Sequence, residues 1–283
     1  MLRLCPRSFL IALLSLVLLA GAGAPAIAQE ASPEATPAAG ITLLAELGYP
    51  ELRVTFDGTT HDFPTELEAG RYHVVIANES QLEIDFRFVQ ALAAGTPEDE
   101  VDWNGGLFLL GATTSSLVLD LTPGAWIISL YAWDPVTNTD TTTGTEVTVT
   151  GELPALEEPP GQEITLRDTA LDAPARLPAG PQVWHVVNRG EQVSQLTLDR
   201  VPAGTTVDQV VALLSREAGT PVAGSGPTFE DITQVFWGMP LAPGQFNLYA
   251  FDLGPGTYAL TSTATPDGTV QGGGGMVAIV TVG

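Results

Sequence analysis

The chain has 283 residues, with 33 acidic against ten basic side chains, no lysine and one cysteine, for a formal net charge of −23. It lacks the basic footprint that phosphate-backbone binding needs, so nucleic acid is excluded as a partner and an anionic membrane surface is disfavoured. The absence of lysine also removes Schiff-base and P-loop chemistry, which use its amine.

Residues 1–28 carry Arg3 and Arg7, then an apolar run from Phe9 to Ala20, then small residues ending Ala26-Ile27-Ala28. This is the layout of a secretory signal peptide. Cleavage is expected before Gln29. An uncleaved anchor is the alternative, since Phe9 to Ala28 matches the roughly 20 residues of a membrane span. Cys5 precedes the apolar run and leaves with the signal. The mature chain then has no thiol, which excludes disulfides, thiolate-bound zinc or iron–sulfur, thiol catalysis and type 1 copper. Its eight arginines against 33 acidic residues give a formal charge of −25, suited to solubility outside the cell. The expected location is extracellular, cell-surface or periplasmic, with no membrane insertion after cleavage.

Residues 29–40 (QEASPEATPAAG) show no apolar periodicity and read as a disordered leader. From 41 to 151 short runs alternate apolar and polar residues between Gly, Pro, Asn and Asp, as in Tyr72 to Ile76, Leu117 to Leu121 and Trp126 to Leu130. Such runs are strands with one face toward a core. Residues 152–162 (ELPALEEPPGQ), with three prolines and three glutamates, read as a linker. A second unit, 163–283, repeats the first. Gly70 to Asn78 matches Gly180 to Asn188, Trp103 followed by Gly matches Trp237-Gly238, and Leu121 to Trp126 matches Leu253 to Tyr258. Each unit is long enough for an independent sandwich core. Val207, Val210, Val211 and Leu214 share one helical face, which predicts a short helix over an open end of the second sandwich.

The stretches Val186 to Leu198, Leu241 to Leu260 and Gly275 to Val282 together resemble the cupredoxin, or blue-copper, family. The resemblance implies an all-β fold of two tandem cupredoxin-like Greek-key sandwiches. It also implies that the copper-ligand positions of the second unit are Ser194, Ser262, Gln271 and Met276, of which only Met276 keeps the family's residue type. In the first unit the corresponding positions are Ile84, Leu130 and Asp140, with Thr145 for the methionine. Ser262 shares strand parity with Tyr258 and Leu260, so the second pocket is expected to be small, polar and self-satisfied by hydrogen bonds. Leu130 should extend the first core.

His61, His73 and His185 are too scattered for a metal signature, and Asp134, Asn138 and Asp140 lack the spacing of a calcium loop. Trp126 lies in the core phase, whereas Trp133 and Trp184 fall on the opposite parity and are the candidates for exposed binding aromatics. No Gly-x-Ser-x-Gly elbow occurs, and Gly272 to Gly275 precedes a strand rather than a helix. The expectation is an exported, non-enzymatic binding or structural protein without cofactor or metal, its partner an unspecified small molecule, glycan or protein. The alternatives are a copper carrier or electron-transfer protein, and a carboxylate-dependent hydrolase.

Overall fold

The computed structural model describes residues 37–91, 102–134, 136–215, 226–265 and 270–283. The expected signal peptide, and the leader as far as residue 36, lie outside them. The first half contains β1 (Glu51–Phe56), β2 (Glu66–Glu68), β3 (Gly70–Asn78), β4 (Glu83–Ala91), β5 (Asp102–Leu109), β6 (Thr113–Leu121), β7 (Gly124–Asp134) and β8 (Thr139–Thr150). The second contains β9 (Gln162–Leu166), β10 (Leu171–Asp172), β11 (Arg176–Leu177), β12 (Gly180–Asn188), β13 (Thr197–Val201), β14 (Thr233–Trp237), β15 (Phe246–Leu253), β16 (Gly256–Thr261) and β17 (Val277–Val282).

The repeat read from the sequence is repeated in the pairing. One layer runs β1-β3-β6 in the first half and β9-β12-β15 in the second, with β10 beyond β9. The other layer runs β2-β8-β7-β4-β5 and β11-β17-β16-β13-β14. The parallel pairs recur too: β1 with β3 and β9 with β12, β2 with β8 and β11 with β17. The turn that opens β7 and β16 is braced alike, since Trp126 Nε1 donates to the Thr122 carbonyl (2.8 Å) and Tyr258 OH to the Gly254 carbonyl (2.9 Å). The fold is therefore all-β, two tandem cupredoxin-like Greek-key sandwiches. One matched pair does not survive. Trp103 faces Val89 on β4, eleven residues beyond Asn78, whereas Trp237 faces Thr197 on β13, nine residues beyond Asn188.

The two halves do not keep separate cores. Leu248 of β15 pairs with Val118 of β6, which joins three strands of each half, together with β10, into one seven-stranded sheet. In the other layer Asn104 and Leu107 of β5 bridge Leu241 and Gly238. One apolar cluster accordingly runs from Val54 through Phe86, Trp126 and Trp184 to Val282.

Two helices cover the outer faces of the layers. The first, α1 (Pro37–Ala45), starts within the expected leader, so its last four residues are helical. Leu44 is buried on Val118 and Leu248, which project away from the sandwich interior. The second, α2 (Val207–Leu214), begins with a capping box in which Thr206 and Gln209 bond each other's backbone N–H. Val210 packs with Val201, Ala259 and Val277, so α2 lies on the outer face of β13, β16 and β17 rather than across an open end. Those outward positions are apolar and need a cover.

His73, on the face away from the interior, is 1% exposed and neither ring nitrogen has a hydrogen-bond partner among the described residues. Burial lowers its pKa, with Glu51 pulling the other way. His61 and His185 are shifted in the same direction by burial. The unfolded chain therefore takes up the proton first, near pH 6.5. Stability from His73 is complete above that pH and is lost as pH falls below it. Asp199, pushed up to about 7 by burial, works in the opposite sense, so the check is a comparison. Between pH 7.5 and 5 the urea midpoint of the wild type should fall further than that of His73→Met. Equal falls would remove His73 from the account.

Candidate functional site

The loop that joins β16 to β17 brings the four family-derived positions together. Ser262 follows directly on β16, and Met276 directly precedes β17. Gly272 N donates to the Ser262 carbonyl (2.7 Å), and Met276 N to the Gln271 carbonyl (3.1 Å), so the loop folds back over the strand end. Ser194 arrives from the segment between β12 and β13, held by reciprocal backbone bonds to Leu241 (3.1 and 2.7 Å). Ser194, Ser262 and Met276 are fully buried, and Gln271 nearly so. Residues 266–269 of the loop lie outside the described residues.

Three of the four side chains have settled roles. Ser262 Oγ donates to Gln271 Oε1 (2.7 Å) and accepts from Gln195 N (3.2 Å). Gln271 Nε2 donates to the Val193 carbonyl (3.2 Å), so the amide is used at both ends. Met276 fills the apolar floor. Of the four, Ser194 Oγ alone is buried without a partner among the described residues. Ser262 bonds an amide oxygen, not an imidazole or carboxylate, so it lacks the adjacent base that activates a nucleophilic serine. Gln195 was not singled out from the sequence. Its backbone N–H reaches Ser262, and its buried side chain donates to Thr263 Oγ1. Its only signal was its place beside Ser194.

Glycines in this loop make room for α2. A Cβ on Gly272 would stand 2.6 Å from Leu214 Cδ1, and Ser215 Oγ donates to the Gly273 carbonyl (2.9 Å). The run is thus a packing surface for the helix end.

The aromatic candidates divide. Trp133 is half-buried on β7. Trp184 is fully buried, with Nε1 donating to Gln182 Oε1 (2.8 Å) and its ring 4.6 Å from that of Phe251, which corrects its expected exposure. Trp184 shares its face of β12 with Val186 and points into the core, so its parity is the inward one. Asp134 behaves as the turn residue expected of it, accepting from the backbone of Val136 and Thr137 and from the Thr137 hydroxyl. In the first half Ile84 and Leu130 are buried in the core and Asp140 is exposed on β8. Among the described residues no helix is long and apolar enough to cross a membrane.

No protein-family model matches the chain, and no curated protein matches it in sequence. Solved structures to which it is similar include a dithionite-reduced auracyanin from Roseiflexus castenholzii, at 21% identity and a TM-score of 0.28, covering 43% of this chain and 94% of that one. A multicopper oxidase from Campylobacter jejuni aligns at 10% identity and a TM-score of 0.26, covering 83% and 64%. A copper-containing nitrite reductase from Thermus scotoductus aligns at 12% identity and 0.25, covering 83% and 62%. At such scores the fold rests on the strand pairing described above and not on these neighbours.

Proposed function

We propose that this is an exported, non-catalytic binding or structural protein, built on two cupredoxin-like sandwiches that hold no blue-copper centre. The observation that carries this reading is the hydrogen bond from Ser262 to Gln271. A blue-copper ion needs a thiolate and two imidazoles, with a thioether as weak axial donor. Here the corresponding side chains are two hydroxyls, one amide and one methionine. A serine hydroxyl does not ionise near neutral pH, and the amide oxygen is already engaged with it. These residues do not fit the ion, and the first half substitutes Ile84 and Leu130 outright. The signal-like residues 1–28 support export, and the partner is a small molecule, glycan or protein.

The test is a copper titration of the purified protein followed by visible absorption. No intense blue band should develop at any ratio. A saturable blue band at one copper per chain would overturn the reading in favour of electron transfer or copper carriage.

A further inference from the structure

The outer face of the seven-stranded sheet carries a second constellation, in the other layer from the β16–β17 loop. His185 and Glu163 are register partners on β12 and β9. The linker passes beside them, tied down where Arg71 Nη1 donates to the Glu157 carbonyl (2.8 Å). One ligand atom from each of Glu158, Glu163 and His185 lies within 4.8 Å of the others. His185 is 6% exposed, its ring stands edge-on to Phe246 at 5.1 Å, and it hydrogen-bonds to nothing among the described residues. The imidazole faces two carboxylates and spends neither nitrogen on another side chain among the described residues.

We propose that Glu158, Glu163 and His185 bind one zinc-class divalent cation, which fastens the linker to the sheet. Imidazole nitrogen and carboxylate oxygen are both zinc donors, and the two negative charges here offset the ion's. Nitrogen in the set favours zinc over calcium or magnesium, which take oxygen ligands. Ligand atoms in a tetrahedral zinc site stand roughly 3.4 Å apart, so a modest contraction is needed. The exposed Glu158 and the partly exposed Glu163 can supply it by rotation. Thr165 Oγ1 donates to Glu163 Oε1 (2.8 Å), the kind of outer bond that orients a ligating carboxylate. Arg189 holds the other oxygen, Oε2, at 3.1 Å, and its half-exposed side chain can turn away.

Calorimetric titration of the metal-free full chain with zinc should show one site per chain, at least tenfold tighter than for magnesium. Glu158→Gln and His185→Gln should each weaken zinc at least tenfold. Glu152→Gln, in the same linker, should leave affinity unchanged. Glu158 is exposed, so its variant keeps the fold whatever befalls His185→Gln. Absence of zinc binding, or affinity unaltered in Glu158→Gln, would overturn the assignment. Copper(II) taken up here would have no thiolate and give no intense blue band, so this outcome is distinct from that of the copper titration above.

Discussion

Gly105→Ala is expected to cost about 4–6 kcal/mol, a large share of the stability of a typical domain. Gly105 sits where β5 meets the second half, with a φ of +80°, and a Cβ there would stand 1.7 Å from Asn247 Oδ1. Asn247 is fully buried and knots the halves together. Its Oδ1 accepts from Tyr249 OH (2.8 Å) and Gly106 N (3.3 Å), and its Nδ2 donates to the Asn104 carbonyl (3.2 Å). The single Tyr249 hydroxyl proton is shared between Oδ1 and the Gly106 carbonyl (3.2 Å). Displacing Asn247 strands several buried polar groups, each worth about 1–3 kcal/mol, and the left-handed backbone adds about 1–2 more for alanine. Gly244→Ala separates the two causes. Gly244 has nearly the same φ, +79°, with nothing within 4 Å of a built Cβ, so strain alone applies and about 1 kcal/mol should be lost. Urea unfolding of the two variants decides the matter. Equal losses would mean that backbone strain, not the knot, sets the cost.

Asn188→Ala should lose about 3 kcal/mol, because one fully buried amide closes three bonds. Its Nδ2 donates to the carbonyls of Gln192 and Leu241 (both 2.8 Å), and its Oδ1 accepts from Gly190 N (2.9 Å). The first half repeats the device. Asn78 Nδ2 donates to the carbonyls of Leu82 (2.8 Å) and Leu110 (3.0 Å), and its Oδ1 accepts from the hydroxyl and N–H of Ser80. Asn78→Ala should therefore be similarly costly. Asn188→Asp should fail as well, since a carboxylate cannot donate to two carbonyls. Chemical denaturation measures all three. An aspartate variant as stable as wild type would show that steric fit rather than donation matters. The same geometry explains why Asn78-Glu79-Ser80, though it has the form of a glycosylation acceptor, has its asparagine committed to the interior.

The burial of Asn188 also shows why spacing sufficed for part of the reading. Eight residues separate it from the glycine that opens its strand, as in the first half, and a repeated distance along a strand becomes a repeated place in space. The meeting of Ser194, Ser262, Gln271 and Met276 was legible only through the resemblance to cupredoxins, which implied those four positions. By itself, then, the sequence determined the alternating strands, the tandem repeat and the all-β class, and the family resemblance it carries implied the place of the loop site. Only the tertiary structure decided what covers the outward faces. Leu44 belongs to a helix that seals a sheet, and His185 meets Glu158 and Glu163, because β6 joins β15 and the linker runs beside the joined sheet. A period of two states which side chains share a face. It cannot state whether water or another part of the chain lies against that face, since that depends on contacts between residues far apart in sequence.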